Sequence, residues 1–203
     1  GARCTQVSCL GYLDVHEDGG YRKGANLWDN EFSNQTALMR TSDGGMCRIN
    51  EFRRVGWGGT GNGVHLSIFG TRGSYEEQAN AQVWVGLKPE ETQDLTGLLD
   101  CRQQPVEGPE AGMDEVLKRD FYTSISAVHP VGRLPRSFAG LPNGHFGSHQ
   151  FLVDDFAKSV AAHQLPPNHV WNAARYCAPG LVAHDSSLRE GQMLSIPDFG
   201  DPP

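Results

Sequence analysis

The sequence predicts an α+β fold, in which a predominantly antiparallel, open β-sheet carries helices packed on one face. Two observations support this prediction. The first half of the chain alternates apolar and polar residues with the period of two that is typical of strands. The last third changes to the 3.6-residue period of amphipathic helices. A run of strands followed by a run of helices is typical of α+β domains.

The predicted strands follow one another along the first 85 residues. A turn at Ser42-Asp43-Gly44-Gly45 predicts a hairpin over residues 34–55, because an Asp-Gly pair between two alternating segments favours a tight turn. Four or five consecutive antiparallel strands imply a meander. A short apolar segment at 193–197 predicts one further strand. The alternating segments of the first half are residues 6–14, 36–41, 46–55, 64–69 and 81–85.

Two helices are expected in the last third of the chain. The first begins at Ser148, a plausible N-cap, and its apolar residues recur at helical spacing as far as residue 163. The second is expected over about residues 169–190, with Gly191 as its C-cap. Pro179 is expected to kink or break that helix, because proline lacks an amide hydrogen and its ring clashes with the preceding turn.

Length and composition narrow the class of protein. A chain of 203 residues with 38% apolar content can bury one good core, so we expect a single domain over residues 1–203. The formal net charge of −7 argues against nucleic acid as a partner. No apolar run approaches the roughly 20 residues of a membrane span, and the N-terminus lacks the pattern of an export signal. A soluble protein without a membrane partner is therefore expected.

The five cysteines are odd in number and widely spaced. This usage is typical of reduced thiols in a cytoplasmic protein rather than of a disulfide framework. No closely spaced pair suggests a metal-binding knuckle, so no metal site is predicted.

The segment RINEFRR, residues 48–54, carries more charge than a half-buried strand usually does. Guanidinium and amide groups with fixed geometry suit a sugar acid or polyol, so one interpretation is a polar substrate wall. The alternative is an edge strand protected by charge, or a ladder of ion pairs at a subunit contact. Strand alternation places Arg48, Asn50, Phe52 and Arg54 on one face and Ile49, Glu51 and Arg53 on the other.

The segment GHFGSH, residues 144–149, lies where loop becomes helix. A metal site is not favoured, because His145 precedes the helix and no third ligand is evident. One hypothesis is a loop that closes over a substrate, with His149 or His145 as hydrogen-bond donor or general acid/base. The alternative is a capping turn.

Trp28 and Asn30 place an aromatic ring beside amides, a combination that can bind the apolar face and the hydroxyls of a sugar. Core packing of Trp28 is the alternative. The glycine-rich segment GWGGTGNG, residues 56–63, lacks the spacing of a dinucleotide fingerprint and precedes a strand-like segment. His184-Asp185-Ser186 cannot form a nucleophilic triad, because adjacent residues on one helix point apart. No cofactor-binding residues are therefore predicted in this chain.

Several segments, in this order, together resemble the C-terminal domain of the glucose–fructose oxidoreductase, inositol dehydrogenase and MocA (Gfo/Idh/MocA) family. The resemblance covers nearly the whole chain, and its ordered set is specific for the family but not for a substrate. The segments are NQTAL (34–38), RINEFRR (48–54), FGTRGSYEE (69–77), GHFGSH (144–149), LVDDF (152–156), PGLVAHDS (179–186) and IPDFG (196–200).

The resemblance implies a sugar or polyol dehydrogenase whose N-terminal Rossmann domain binds NAD or NADP. That domain and the family's catalytic lysine are absent from this sequence, so we expect a fragment that binds no cofactor and is inactive alone. The resemblance also implies a homo-oligomer formed through the open sheet face. It places His145, His149, Asn50, Arg53 and Trp28 near the substrate pocket, with His149 and His145 as the candidate catalytic residues.

Two alternatives stay open. A related branch hydrolyses glycosides by transient oxidation with NAD, and its loop reads Gly-His-Gly-Gly-Met-Asp. Here Ser148 and His149 replace the Met-Asp pair, which disfavours that activity. The second alternative is a non-catalytic, self-associating sheet module.

Overall fold

The computed structural model describes residues 1–54, 63–78, 81–98, 129–138 and 148–203. The chain forms two compact units. The first unit comprises residues 1–94 and 170–203, and the second comprises residues 95–169. The expectation of a single domain over residues 1–203 stays a prediction.

The first unit is built on an open antiparallel sheet, and eight strands are found in the described part of the chain. They are β1 (Cys4–Leu13), β2 (Phe32–Thr41), β3 (Met46–Phe52), β4 (Val64–Gly70), β5 (Gly73–Glu77), β6 (Gln82–Val85), β7 (Gln93–Asp94) and β8 (Leu194–Ser195). The spatial order is β7-β6-β5-β4-β3-β2-β1-β8, so seven strands form a meander and β8 pairs with the free edge of β1. The predicted α+β class is confirmed.

The predicted number of strands was too low, because β5 and β7 were not recognised. Strand β5 reads Gly-Ser-Tyr-Glu-Glu and has no apolar alternation, which is the usual signal of a strand. It is nevertheless paired on both sides, to β4 and to β6. The predicted hairpin is confirmed with small shifts in its bounds, since β2 and β3 flank the turn at residues 42–45.

The two predicted helices are present as α1 (Ser148–Ala161) and α2 (Val170–Ser187). Helix α1 belongs to the second unit, whereas α2 belongs to the first and packs on β1 and β8. The expectation was that Pro179 would kink or break this helix; a break is wrong, because α2 continues through Pro179, and a kink stays a prediction. Pro179 and Ala178 are both buried, and this tertiary packing offsets the hydrogen bond that proline cannot make.

The core lies between the first three strands and α2. Cross-strand register aligns Val7 with Met39 and Cys47 on one face of the sheet. The next row on this face holds Cys9 and Ala37. Helix α2 adds Ala178 and Ala183 to the same cluster, and Ile196 adds the segment after β8. A face made of small and medium side chains lets a helix approach the sheet closely.

The C-terminal end of α2 is joined to the edge of β1 by Ser186, which is fully buried. Its hydroxyl accepts a hydrogen bond from the Cys9 amide at 2.9 Å and donates one to the Gln192 carbonyl at 2.7 Å. Gly191 then turns the chain with a φ of 85°, and its amide bonds the Ser186 carbonyl at 3.0 Å, as expected of a C-cap glycine.

The second unit has its own contacts around Phe151, which is buried in α1. The ring of His129 stacks on Phe151 with 4.9 Å between centroids. The Arg133 guanidinium lies over the same ring at 4.9 Å and pairs with Asp155 at 2.9 Å. Among the described residues, no helix is long and apolar enough to cross a membrane.

Cys4 packs against the core cluster that contains Cys47. The Cys47 thiol donates a hydrogen bond that lowers the pKa of Cys4 to about 7, whereas burial raises the pKa of Cys9 to about 11. Because the thiolate is the reactive form, we expect Cys4 alkylation by iodoacetamide to rise with pH and to reach half its maximum near pH 7.

Peptide mapping after brief labelling measures this. Cys9 is the internal control and should stay unmodified in the folded protein at neutral pH. Equal labelling of Cys4 and Cys9 across the pH range would contradict the lowered pKa of Cys4 and the raised pKa of Cys9.

Candidate functional site

The connection between β1 and β2, residues 14–31, is an ordered loop organised by Asn26. The Asn26 side-chain oxygen accepts hydrogen bonds from the amides of Trp28 at 3.2 Å and Asn30 at 3.0 Å. Its side-chain nitrogen donates to the carbonyls of Asn30 at 2.9 Å and Gly20 at 3.3 Å. The Asn26 side chain therefore supplies hydrogen-bond partners for the backbone groups of the turn that carries Trp28, as in an Asx turn.

Left-handed backbone at three positions lets this loop fold back on itself. Gly19 and Gly24 have φ values of 74° and 75°, and Asp29 has a φ of 50°. The Asp29 carboxylate accepts a hydrogen bond from the Gly24 amide at 2.5 Å, which closes the loop across the turn. Glycine and Asp are among the residues that adopt this conformation at least cost.

The loop borders a solvent-open cavity of about 350 Å³ lined by Gly20, Tyr21, Asn26, Trp28 and Asn30. Trp28 is 80% exposed, so core packing does not explain it. The Asn30 side-chain oxygen accepts a hydrogen bond from the Phe32 amide at 2.9 Å. The Nδ2 atom of Asn30 has no hydrogen-bond partner among the described residues. Trp28 and Asn30, predicted together from the sequence, therefore do line one cavity.

Tyr21 is positioned from the end of β3 by Arg54. The Arg54 guanidinium lies 5.5 Å from the centroid of the Tyr21 ring and pairs with Asp18 at 2.6 Å. The Gly20 amide first, and then Arg54, hold the pKa of Asp18 below its ordinary value. The Arg54 amide donates to the side chain of Asn34 at 3.0 Å, which joins this cluster to β2. Arg54 is thus shared between a cation–π contact and an ion pair.

Arg48 and Asn50, two of the residues that were predicted to form a polar substrate wall, lie on β3 among polar neighbours, and their role in substrate binding stays a prediction. Arg48 donates from Nη2 to the Ser67 hydroxyl at 3.0 Å across the β3–β4 pair. Asn50 is 9% exposed and lies opposite His65 on β4. Within the described parts of the chain, neither Nε of Arg48 nor Oδ1 of Asn50 has a hydrogen-bond partner, although both atoms are buried. Unpaired buried polar atoms are rare and call for an explanation.

Arg53 lies one residue beyond the end of β3 and is exposed. Its side chain forms an ion pair with Glu51, and its amide donates to the Ser33 carbonyl at 3.1 Å. The alternative of an edge strand is wrong, because β3 pairs with β2 on one side and with β4 on the other. The predicted role of Arg53 in substrate binding stays a prediction.

The predicted histidines belong to the other unit. His149 is exposed and lies in the first turn of α1. His145 lies outside the described residues, as do residues 56–62 of the glycine-rich segment. Within the described parts of the chain, no group of three or more His, Cys, Asp and Glu side chains could hold a metal ion.

Sequence reasoning missed Tyr21 and Asn26 as lining residues of the cavity, and it missed the contact of Arg54 with Tyr21. The spacing of glycines and asparagines around Trp28 was a usable signal, because such residues build tight loops. The contact between Arg54 and Tyr21 joins positions 33 residues apart, and no local pattern reports it.

Comparison with known proteins shows the fold. The chain is similar to an oxidoreductase domain protein from Kribbella flavida, with 18% identity over 97% of this chain and a TM-score of 0.52. It is also similar to a levoglucosan dehydrogenase solved in complex with NADH and levoglucosan, with 15% identity over 97% of this chain and a TM-score of 0.51. No protein-family model and no curated protein matches the chain.

The chain spans less than half the length of these two solved structures, 45% and 46% respectively. The predicted resemblance to a domain of sugar or polyol oxidoreductases is therefore confirmed for the fold. At this level of identity the residues of the site do not follow from the fold, since one fold carries many activities.

Proposed function

We propose that this chain is the substrate-binding domain of an NAD(P)-dependent sugar or polyol oxidoreductase of the Gfo/Idh/MocA family. One observation carries the proposal: nearly the whole chain shares its fold with less than half of a dehydrogenase solved with NADH and levoglucosan. A Rossmann domain in the full-length protein would hold the nicotinamide, and the chain alone would bind no cofactor and would not turn over.

The proposed reaction removes a hydride from a carbinol carbon and a proton from its hydroxyl. The hydride passes to the oxidised nicotinamide, and a base accepts the proton, which leaves a carbonyl product. This domain would orient the reacting hydroxyl through polar side chains and exclude water. The proposed substrate-binding residues are His145, His149, Asn50, Arg53 and Trp28.

His149 and His145 are the candidate acid/base residues of this chain. In the full-length enzyme we expect His149→Ala to lower kcat/KM by about 10²-fold or more, because a positioned imidazole contributes about that much to proton transfer. The thermal midpoint should change little, since the side chain is exposed at the start of α1.

Steady-state kinetics and a thermal melt on the same preparations measure both effects. His163→Asn is the matched control, because His163 is also exposed, follows the end of α1 and has a φ of 53°, which Asn adopts at lower cost than Ala. Parallel losses of activity and stability in His149→Ala would instead indicate a capping role.

Self-association through the open sheet face is a further part of the proposal. Leu10, Leu38 and Met46 lie on the face opposite the core cluster and are 65%, 59% and 56% exposed. The three side chains lie in successive cross-strand rows of one face, and exposed apolar side chains that share a sheet face are typical of an interface. We expect a dimer or larger assembly in light scattering, and a monomer would contradict this part of the proposal.

The full-length protein tests the function directly. We expect absorbance of reduced cofactor to appear when NAD or NADP is mixed with a panel of sugars and cyclitols. No reduction across the panel would contradict the proposal, and nitrophenol release from chromogenic glycosides would favour the glycosidase instead. A cytoplasmic location is also proposed, supported by the four free cysteines of the described residues.

A further inference from the structure

We propose that the cavity in the β1–β2 loop binds the ring of an uncharged sugar or cyclitol, with Trp28 as the stacking surface. The proposal deepens the proposed function, on which it rests for the general class of polyhydroxylated ligand. It adds the position of the ring, the residues that contact it and the exclusion of acidic sugars.

The first support is the combination of surfaces around the cavity. Trp28 and Tyr21 offer aromatic rings, and the C–H face of a pyranose or cyclitol packs on such rings. A volume of about 350 Å³ accommodates one such ring. Exposing a tryptophan to 80% is unfavourable in water, so a ligand that covers the ring recovers apolar burial.

The second support is that the side-chain amides of Asn26 and Asn30 have different hydrogen-bonding roles. Both polar atoms of the Asn26 side chain form hydrogen bonds to the backbone, so Asn26 has a structural role. The Asn30 side-chain oxygen accepts a hydrogen bond from the Phe32 amide. Its Nδ2 can therefore donate a hydrogen bond to a ligand hydroxyl. The cavity therefore has an apolar wall and a fixed polar group, which is the usual composition of a small-molecule site.

The third support is preorganisation. Arg54 holds Tyr21 by a cation–π contact at 5.5 Å, and Asp18 holds Arg54 at 2.6 Å. Asp29 and Asn26 close the loop that carries Trp28. A site whose walls are already fixed loses little conformational entropy when a ligand binds. Arg54 is a positioning residue here.

The local charge selects against anions. Residues 14–31 contain five acidic and two basic side chains, which leaves a net charge of −3. Arg54 is paired with Asp18 and does not offer a free cation to a phosphate or carboxylate. Phosphorylated sugars and sugar acids would approach a negative surface, so neutral rings are favoured.

The test uses the 203-residue chain without nicotinamide, with saturation-transfer NMR to detect binding and titration to measure affinity. The probes are myo-inositol and methyl β-glucoside as neutral rings, and gluconate and glucose 6-phosphate as anions. We expect at least one neutral ring to bind, and both anions to bind about tenfold or more weakly.

Trp28→Ala should weaken binding of the neutral ring by about tenfold or more, whereas Trp28→Phe should retain most of it. Leu27→Ala is the matched control, because Leu27 is the adjacent residue of the same loop and is 95% exposed. Asn30→Asp should also weaken binding, because it removes the Nδ2 donor and keeps an oxygen acceptor for the Phe32 amide.

The cavity and the proposed function can fail separately. If no neutral ring binds the chain, or if Trp28→Ala and Leu27→Ala behave alike, the cavity proposal is overturned. If the full-length enzyme oxidises polyols and its KM is unchanged by Trp28→Ala, the cavity proposal is overturned while the function stands. If the chain binds the ring through Trp28 but the full-length protein reduces no nicotinamide, the function fails and the cavity stands.

Discussion

Replacing Ser186 by Ala is expected to lower the free energy of unfolding by about 2 kcal/mol, because the buried Cys9 amide and the part-buried Gln192 carbonyl both lose their hydrogen-bond partner. The Ser186 hydroxyl accepts from the Cys9 amide at 2.9 Å and donates to the Gln192 carbonyl at 2.7 Å. The residue is fully buried, so water cannot replace the hydroxyl without opening the contact between α2 and β1. Urea denaturation followed by circular dichroism measures the loss.

Ser195→Ala is the control for this prediction. Ser195 is an exposed residue of β8, close to Ser186 in sequence but not buried. Surface substitutions of this kind usually change stability by less than about 0.5 kcal/mol. If Ser186→Ala were as mild as its control, the hydroxyl would not bridge helix and strand.

Replacing Gly73 by Ala is expected to destabilise the sheet by about 3 kcal/mol or more, because backbone strain and overpacking act together. Gly73 has a φ of 143°, which side-chain-bearing residues rarely adopt. An added Cβ would lie 2.5 Å from the Val85 carbonyl oxygen and 2.7 Å from the Trp84 ring. Both groups belong to β6, so the steric clash can be removed only if β5 and β6 move apart.

The control lies directly across the β4–β5 pair at Gly70. A Cβ at Gly70 would meet its nearest neighbour at 3.7 Å, an ordinary contact, so Gly70→Ala should change stability far less. Urea unfolding curves followed by circular dichroism compare the free energies of unfolding of the two variants. Equal losses would mean that Gly73 is not constrained by β6.

The elements with a strong local signal were predictable. The hairpin at residues 32–52 followed from two alternating segments around an Asp-Gly turn, and both helices followed from their apolar period. Strand β5 was missed because its stability comes from pairing on two sides and not from its own composition. The continuity of α2 through Pro179 was missed because burial of the helix compensates for a local defect.

The candidate site also contains residues that local sequence could predict and residues that only tertiary contacts bring to the site. Trp28 and Asn30 were recognisable as residue types that bind sugars, and the structure places both on one cavity. Tyr21 gains its role only through Arg54, which is distant in sequence. Asn50 was predicted to be a polar wall residue, but its burial with an unpaired Oδ1 depends on the neighbouring strands.

The sequence by itself determined the α+β class, the antiparallel hairpin, the two helices and the presence of an aromatic ring beside amides in the β1–β2 loop. These follow from periodicity and turn chemistry, which act over a few residues. Only the tertiary structure decided that eight strands pair in the described part of the chain, that Ser186 links α2 to β1, and that Arg54 contacts the ring of Tyr21 in the β1–β2 loop. Those features depend on contacts between residues far apart in the chain, and local patterns carry no information about them.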